Sequence, residues 1–334
     1  MNKIRPTIRD VANLAGVSHQ TVSRVINRED RVNPETREKV EDAISKLGYI
    51  PNVIAKSMAR GATKTLACIS PNLIDYTYAS IIDAAQAEVR QLGYYIISVS
   101  VPDEELFSKI ITELVLSGRT DGLLLINPGV PEWKKYLPQG FPVVIAGAYP
   151  FEDSVNTVSL DEIAAGRIAT QHLIENGHRK IAVITGPANE YSAQARLTGY
   201  RDSLNNSRIA YDPTRIIEGD WSATAGYQAV ETLLSVGTEF TAIFAQNDRM
   251  AVGAIKSLHS HQMDVPKDVS VVGFDDIPLA SYFTPSLTTM QQNMDELGKQ
   301  AACLLIRALE QSELEFEHIK IPSHIILRNS TALL

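Results

Sequence analysis

Apolar residues recur at intervals of three or four positions within residues 7–27, which is the spacing of two short helices separated by a turn. Thr7 is a good N-cap, Asp10 adds negative charge to the first turn, and Gly16 favours the left-handed conformation that ends a helix. Ser18 can cap the second helix. The apolar positions are Ile8, Val11, Ala12 and Ala15, then Val22, Val25 and Ile26. The pattern predicts a helix-turn-helix, although an ordinary helical hairpin within a larger core has the same periodicity.

A third helix is expected between Asn33, its N-cap, and Gly48, with Pro34 in the first turn. Its apolar face consists of Val40, Ala43, Ile44 and Leu47. Three short helices with a shared core predict a small all-α head over residues 1–50. Residues 51–64 follow, in which Asn52 can cap a helix of two turns that is too short to be stable alone. We expect this segment to be a hinge helix and linker.

From residue 65 onward, apolar strands alternate with amphipathic helices, a pattern typical of α/β domains with doubly wound parallel sheets. Two sets of five strands predict two lobes with a cleft between them. The body is therefore residues 65–334, with an N-lobe of about 65–160 plus 293–320 and a C-lobe of about 161–290 plus a C-terminal strand. The predicted strands are 66–70, 95–101, 122–126, 143–147 and 156–160, then 180–185, 215–219, 242–245, 270–274 and 287–292.

The net charge of −8 is unevenly distributed along the chain. Residues 1–61 contain 11 Lys and Arg against 7 Asp and Glu, a net charge of +4, whereas the remainder has a net charge of −12. A basic head on an acidic body suits a protein that meets phosphate groups with one end only. Double-stranded DNA is the partner that this distribution favours.

Other compositional features exclude several classes of protein. Cys68 and Cys303 both lie among aliphatic residues, which is typical of small core residues in a reducing compartment. No apolar run is long enough to span a membrane, and no apolar segment follows the first five residues as it would in a secretory signal. We therefore expect a cytoplasmic protein with no membrane association, no metal and no cofactor.

Motifs spread over essentially the whole chain resemble the lactose repressor (LacI/GalR) family of bacterial transcription regulators. They are Asp10-Val11-Ala12, Ala15-Gly16-Val17-Ser18, Thr21-Val22-Ser23-Arg24-Val25, Asn27, Thr36-Arg37-Glu38-Lys39-Val40, Tyr49-Ile50-Pro51-Asn52, Gly177-His178-Arg179-Lys180-Ile181, Asn247-Asp248-Arg249-Met250-Ala251, Val272-Gly273-Phe274-Asp275-Asp276 and Pro285-Ser286-Leu287-Thr288-Thr289. Within the family, residues 20–25 and 218–223 are most similar to the member that gives the family its name. The resemblance implies a DNA-binding head, a hinge helix and a body like that of periplasmic binding proteins.

The resemblance places base recognition at the start of the second helix, in the major groove. Gln20 can pair with adenine, Arg24 can pair with guanine, and His19 can donate to an acceptor such as guanine N7. Short polar side chains nearby are suited to phosphate contacts that fix the register. These are Thr7, Ser18, Thr21, Ser23 and Asn27. Helix capping is an equally good explanation for Thr7 and Ser18, and both roles are compatible.

In the family, the hinge helix enters the minor groove and an apolar wedge unstacks a base step. Met58 occupies the wedge position, where the name-giving member has leucine, and core packing is its alternative role. Val53 stands where that member has a basic residue, which leaves the central operator preference open. Two heads related by a two-fold axis would read a pseudo-palindrome. Because no heptad segment follows residue 328, we expect a homodimer.

Polar and aromatic residues accumulate at the predicted strand ends, where ligands of such sheets bind. Arg196 and Asp275 can each hold two neighbouring hydroxyl groups, and Trp221 offers a flat apolar face for a sugar ring. The resemblance assigns effector binding to Arg196, Trp221, Asn247 and Asp275, and less directly to Ser192 and Gln292. The full predicted set is Ser70, Ser192, Arg196, Trp221, Asn247, Asp275 and Gln292, with Tyr76, Phe283 and Met294 farther along the ligand.

Each of these residues also has a structural explanation. Trp221 can be a core residue, Asn247 can cap the helix that begins at Asp248, and Asp275 with Asp276 can cap the turn at Ile277. The name-giving member has a carboxylate at the position that we match to Ala164, which counts against an identical ligand.

The resemblance implies a repressor of a carbohydrate-utilisation operon that leaves a palindromic operator when a galactoside-like sugar binds between the lobes. A co-repressed regulator that responds to a purine or another metabolite is the alternative. An enzyme is disfavoured because the sequence has no GxSxG, HExxH, P-loop or GxGxxG motif in a usable context. A periplasmic sugar-binding protein would lack the basic head.

Overall fold

The computed structural model describes residues 6–27, 31–50, 62–130, 132–148, 152–310 and 315–334. Its contacts divide the chain into two compact units, Met1–Thr63 and Lys64–Leu334. The hinge residues 51–61, with Val53 and Met58, lie outside the described residues. The predictions made for them therefore stay predictions.

The described part of the first unit contains three helices, α1 (Ile8–Ala15), α2 (His19–Ile26) and α3 (Pro34–Leu47). The Thr7 hydroxyl accepts a hydrogen bond from Asp10 N, and the Asp10 carboxylate accepts one from Thr7 N at 2.7 Å. Gly16 ends α1 in the left-handed region at φ 68°. Asn33 caps α3, as the sequence predicted. The predicted helices and their end signals are thus confirmed.

A shared apolar core holds these three helices together. Val11 and Val22 are fully buried against Val40 of α3. The remaining buried members of this core are Ala12, Val25 and Ala43. Because α1 and α2 direct their apolar faces into this core, the polar face of α2 remains available at the surface.

The second unit contains two six-stranded sheets in the orders β11-β5-β4-β3-β1-β2 and β12-β10-β9-β8-β6-β7. Strands of the first sheet are β1 (Thr65–Ser70), β2 (Tyr95–Ser100), β3 (Gly122–Ile126), β4 (Val143–Gly147), β5 (Asn156–Leu160) and β11 (His318–Ile321). Strands of the second are β6 (Ile181–Thr185), β7 (Ile216–Glu218), β8 (Ala242–Ala245), β9 (Ser270–Asp275), β10 (Thr288–Gln291) and β12 (His324–Ile326). All pairings are parallel except that of β10 with β12.

Helices cover the sheets, so each sheet is buried between two apolar layers. They are α4 (Tyr76–Gln91), α5 (Glu104–Ile111), α6 (Glu162–Glu175), α7 (Tyr191–Asn206), α8 (Ala223–Ser235), α9 (Asp248–Ser260) and α10 (Met294–Glu310). We call the first sheet with α4, α5 and α10 the N-lobe, and the second sheet with α6–α9 the C-lobe. The chain crosses between the lobes after β5, after β10 and after β11.

The predicted fold class, a helical head with doubly wound parallel sheets, is confirmed. All ten predicted strands are present to within two residues at each end. Strand β11 was not predicted, because His318 and Lys320 interrupt its apolar pattern. Among the described helices, none combines the length and the apolar composition that crossing a membrane requires.

Two glycines allow α6 and α7 to touch along their backbones. A Cβ atom on Gly199 of α7 would lie 2.2 Å from Ile163 O of α6, and one on Gly166 would lie 2.3 Å from Arg196 O. Real Cβ atoms do not approach other heavy atoms so closely. This packing brings the first turn of α6 next to the side chain of Arg196.

We predict that Gly199→Ala destabilises the protein by about 1–3 kcal/mol, because the added methyl group must push α6 and α7 apart. Urea denaturation followed by far-UV circular dichroism measures the free energy of unfolding. Gly129→Ala is the matched control, since a Cβ there would meet no atom within 4 Å and its φ lies outside the left-handed region. Equal losses in the two variants would contradict the proposed helix contact.

Candidate functional site

A cavity lies between the two lobes, within the second unit, and encloses about 540 Å³ including space open to solvent. We call it the cleft. The N-lobe side is lined by Asp75, Thr77, Tyr78, Ile81, Asn127, Gly147, Ala148, Leu160 and Met294. The C-lobe side is lined by Glu162, Glu190, Ser192, Arg196, Trp221, Asn247 and Asp275, and Gln292 lies at the crossing between the lobes. The lining is rich in carboxylate, amide and hydroxyl groups.

Six of the seven residues predicted to bind an effector line the cleft, and Ser70 does not. The Ser70 hydroxyl donates to Asn72 O at 2.8 Å, and the residue lines a separate, smaller cavity beside Phe107 and Val130. Of the three residues expected farther along the ligand, Met294 lines the cleft, whereas Tyr76 and Phe283 are not among its lining residues.

Arg196 is the centre of the C-lobe side. Its Nε donates to Glu162 Oε2 at 2.7 Å and one terminal nitrogen donates to Glu162 Oε1 at 3.1 Å. The other terminal nitrogen donates to Gln246 O at 2.6 Å. The guanidinium group lies 3.6 Å from the centroid of the Phe274 ring and 5.6 Å from that of Trp221. Arg196 is thus held in one orientation by a two-point ion pair and by stacking.

The charges of this pair are deeply buried, with Arg196 at 5% exposure and Glu162 at 3%. Burial alone lowers the pKa of Arg196, but the contact with Glu162 raises it overall. Burial also raises the pKa of Asp275 above its ordinary value, and the nearby Arg196 charge opposes that change. The C-lobe side therefore combines the permanently charged Arg196 with a carboxyl group whose pKa burial raises.

Trp221 has a left-handed backbone conformation, with φ at 68°, which is uncommon for a bulky residue. Its Nε1 donates to Glu190 Oε2 at 3.0 Å. A Cβ atom on Gly186 would lie 1.9 Å from the indole ring, so only glycine leaves room for the ring there. The ring also packs against the C-lobe core, so the core role and the cleft position occur together.

Asn247 caps α9, because its Oδ1 accepts from Met250 N at 2.8 Å. Its amide group also donates to Trp221 O at 3.0 Å, which ties the loop of Trp221 to this helix. The capping role that the sequence suggested is therefore present, and Asn247 lines the cleft as well.

The suggestion that Asp275 and Asp276 cap the turn at Ile277 is wrong. Ile277 N donates to Asp248 Oδ2 at 2.9 Å instead. The Asp275 carboxyl accepts from Gln292 Nε2 at 2.7 Å. Asp276 accepts from a terminal nitrogen of Arg328 at 2.6 Å. The sequence suggested the adjacent carboxylates of Asp275 and Asp276 as the cap. The acceptor of the Ile277 N–H is instead Asp248, in the first turn of α9.

Several residues that line the cleft were not predicted, among them Glu162, Tyr78 and Asn127. Glu162 supplies a carboxylate on α6, whereas Ala164 is not a lining residue and its N donates to Asp161 Oδ1 at 3.0 Å. Glu162 lies two residues after the end of strand β5, so the rule of polar strand ends could have found it. No comparable signal marks Tyr78 on α4. Burial raises the pKa of Tyr78 to about 12, so its hydroxyl is neutral.

This arrangement can bind a compound that carries several neighbouring hydroxyl groups. Carboxylates such as Asp275 accept hydrogen bonds from hydroxyl groups, whereas the Asn247 and Gln292 amides can both donate and accept. The Trp221 ring provides an apolar surface beside them. The cleft therefore offers the alternating polar and apolar surface that a small polar ring compound requires.

The head presents a polar surface on α2. His19, Gln20 and Arg24 are exposed, whereas Val22 and Val25 on the same helix are buried in the head core. Ser18 caps the helix by accepting from Thr21 N at 3.2 Å, and its hydroxyl lies 2.9 Å from that of Thr21.

The other short polar residues also make local contacts. Asn27 Nδ2 donates to Ser23 Oγ at 3.5 Å, and Thr7 takes part in the capping box of α1. The capping explanation for Thr7 and Ser18 is thus present. It leaves the exposed side of α2 available for a partner.

Two family profiles match the chain. The profile described as "Bacterial regulatory proteins, lacI family" matches residues 7–52, and that described as "Periplasmic binding protein-like domain" matches residues 170–331. The first covers the helix-turn-helix and the second covers most of the C-lobe.

The chain is also similar to characterised proteins over its whole length. It is 33% identical to the ribose operon repressor of Escherichia coli (strain K12) over 327 residues. These aligned residues make up 97% of this chain and 99% of the relative. It is 32% identical over 331 residues to the transcriptional repressor PurR of Histophilus somni (strain 2336), covering 98% and 99% respectively. Both relatives are repressors of transcription by their names.

Solved structures show the same similarity. The lac repressor dimer bound to operator and the anti-inducer ONPF is 30% identical, with a TM-score of 0.90 over 98% of this chain and 100% of that chain. The transcriptional regulator CelR–cellobiose complex is 34% identical, with a TM-score of 0.76 over 98% and 100%. With its helix-turn-helix, two-lobed body and repressor relatives, the chain belongs to the lacI family of bacterial regulatory proteins, which are DNA-binding regulators of transcription.

Proposed function

We propose that this protein represses a carbohydrate-utilisation operon and leaves its palindromic operator when a sugar binds in the cleft. The observation that carries the proposal is the cleft itself, where Arg196, Asp275 and Asn247 stand around the Trp221 ring. The names of the ribose operon repressor and of the CelR–cellobiose complex support a sugar. A galactoside-like sugar is the first class of compound to test.

The proposed contacts follow from the chemistry of each group. Asp275 accepts hydrogen bonds from two neighbouring hydroxyl groups, and Arg196 donates with the N–H groups that Glu162 and Gln246 leave available. Asn247, Ser192 and Gln292 fix the remaining hydroxyl groups, and Trp221 covers the C–H face of the ring. Ser70 is no longer part of the proposed set, because it lines the other cavity.

At the DNA end, we propose that residues 1–50 are the operator-binding head and that residues 51–64 form the hinge. His19, Gln20 and Arg24 would read base edges, while Thr7, Ser18, Thr21, Ser23 and Asn27 would contact phosphates. Met58 would wedge between the central base pairs. A homodimer supplies the two heads that a palindrome needs. We place this activity in the cytoplasm, where the bacterial chromosome lies.

The proposed switch has two states, one that binds operator and one that binds sugar. Consider a sugar that raises the sugar-binding state from about 1% to about 99% of the molecules. It must bind that state about 10⁴-fold more tightly than the operator-binding state, a difference of roughly 5.5 kcal/mol. Two cleft sites per dimer can share this requirement. In this mechanism the sugar is bound and released unchanged, without any chemical reaction.

A purine-responsive, co-repressed regulator is the second candidate. Relatives named PurR and CytR are each 32% identical over 98% of this chain, so their similarity nearly equals that of the ribose operon repressor. A flat purine base can also stack on Trp221. The same titration distinguishes the two candidates.

We predict that titration with galactosides, glucosides, ribose, cellobiose and purines changes the fluorescence of Trp221 in a saturable way for at least one sugar. Trp133 is the other indole and is 4% exposed in the N-lobe core, so Trp133→Phe isolates the cleft signal. Asp275→Asn should weaken the sugar's affinity at least about tenfold, since the amide replaces one acceptor oxygen of the carboxyl group with a donor. Isothermal titration calorimetry checks the affinity.

Asp275→Asn is preferred to Arg196→Ala, because removal of Arg196 would leave the buried Glu162 charge unpaired. Trp221→Phe is the control that should abolish the signal. A response to purines alone would support the second candidate. Unchanged sugar affinity in Asp275→Asn would contradict the proposed binding mode.

A second prediction concerns DNA. Selection from random duplexes should yield a palindromic site for the full-length protein, and Arg24→Ala should weaken binding to that site by about 1–3 kcal/mol. The variant should also lose the preference for one base in each half-site, because a base contact has been removed. Fluorescence anisotropy at several salt concentrations measures both effects.

Lys39→Ala is the matched control for the loss of a positive charge in the head. Lys39 lies on α3, where it pairs with Glu35 at 2.8 Å, outside the recognition helix. It should leave the base preference intact. Equal effects of the two substitutions on every sequence would indicate that Arg24 contributes only charge.

A further inference from the structure

A fully buried carboxyl group lies directly behind the cleft. Asp248 is the first residue of α9, and none of its surface is exposed. It forms none of the ion pairs found among the described residues. Of the nearby cations, Arg196 pairs with Glu162 and Arg328 pairs with Asp276. A buried carboxyl group without a cation is costly, so its hydrogen bonds require an explanation.

Hydrogen bonds from neighbouring elements hold the Asp248 side chain. The Thr289 hydroxyl donates to Oδ1 at 2.5 Å, and Ile277 N donates to Oδ2 at 2.9 Å. Gly273 on β9 leaves the necessary space, because a Cβ atom there would lie 2.3 Å from Oδ1. The carboxyl group thus connects the start of α9 to strand β10 and to the turn that follows β9.

That turn carries a residue of the cleft. Asp275 and Asp276 both have left-handed backbones, with φ at 112° and 53°, which is strained for residues other than glycine. Ile277 N is fixed by Asp248, and Asp276 N donates to the Thr289 hydroxyl at 3.4 Å. The two partners of the turn, Asp248 and Thr289, are therefore bonded to each other as well.

We propose that Asp248 is a positioning residue of the cleft, which holds the strained Asp275–Asp276 turn through Ile277 and Thr289 and so sets where Asp275 meets the ligand. The inference rests on the proposed function in one respect, namely that Asp275 contacts the effector. Asp248 itself does not line the cleft. It acts through the turn, and through Asn247, the preceding residue in the chain.

The protonation of Asp248 should matter for this role. Burial raises its pKa to about 7, the hydrogen bonds from Thr289 and Ile277 oppose the change, and the Asp276 charge adds to it. The charged or titratable groups that face it from the neighbouring elements are Asp275, Asp276 with its partner Arg328, and Arg196 beyond Asp275. Near neutral pH, a fraction of the molecules therefore hold the turn with a protonated carboxyl group.

The sign of the effect on stability follows from linkage. Because the folded pKa lies above the ordinary value of 3.8, the folded state binds a proton that the unfolded state has released. The stabilisation is complete below that ordinary value and is lost as the pH rises through about 7. Asn resembles the protonated carboxyl group, so Asp248→Asn should not lose this contribution.

The test uses hydrogen–deuterium exchange in the ligand-free, full-length protein, followed in peptides that cover residues 270–287. Asp248→Ala and Thr289→Val should speed exchange at residues 276 and 277 by about tenfold, because each removes a bond that holds the turn. Asp248→Asn and Thr289→Ser keep a hydrogen-bonding group and should exchange like the unchanged protein. Ser203→Ala, which removes a buried bond to Arg167 O in the same lobe, is the matched control for general destabilisation.

Thermal unfolding of the same proteins between pH 5 and 9 provides the second readout. The Tm of Asp248→Asn should rise relative to the unchanged protein between pH 5 and about 7, and the difference should level off above that pH. Should Asp248→Ala leave exchange at residues 276 and 277 unchanged, or should Asp248→Asn speed it as much as Ala does, the inference is overturned. A Tm difference between Asp248→Asn and the unchanged protein that is independent of pH would overturn the inferred protonation of Asp248. None of these measurements needs a ligand, so they remain interpretable if the proposed sugar response fails.

Discussion

The cleft depends on the buried ion pair between Arg196 and Glu162. Neither charge could remain buried without the other, because an unpaired charge inside a protein costs several kcal/mol. The pair is possible because Gly166 and Gly199 allow the backbones of α6 and α7 to touch, which brings the first turn of α6 to the middle of α7. From this fixed point, Arg196 reaches Gln246 O at the end of β8 and stacks on Phe274 of β9. Helices α6 and α7 and strands β8 and β9 are thereby aligned on one side of the cleft.

Much of this architecture could be predicted from the sequence, because local signals determine helix ends and strand positions. The Thr7–Asp10 capping box and the left-handed Gly16 agree with the expected start and end of α1. The ten predicted strands are apolar runs between helices. The rule that ligands bind at strand ends, together with the family resemblance, placed six of the seven candidate residues at the cleft.

The remaining features depend on contacts between distant residues, which periodicity and spacing do not report. Ser70 ends strand β1, yet it lines a different cavity from the other candidates. A carboxylate that lines the cleft belongs to Glu162, two residues before Ala164, the position that we matched to the carboxylate of the name-giving member. Ile277 is held by Asp248, which lies 29 residues earlier in the sequence, although Asp275 and Asp276 are adjacent to it. In each case a side chain's partner is set by packing of whole elements.

In the proposed switch, a ligand bound in the cleft lowers the affinity of the head for DNA. Such coupling is reciprocal, so a ligand that weakens DNA binding by some factor must itself bind more weakly, by the same factor, when DNA is present. The most direct test is to measure the affinity of the responding sugar by calorimetry, with the protein alone and with saturating selected operator. We predict that operator lowers the affinity for the sugar by the same factor by which the sugar lowers the affinity for operator. Equal sugar affinities with and without operator would contradict it.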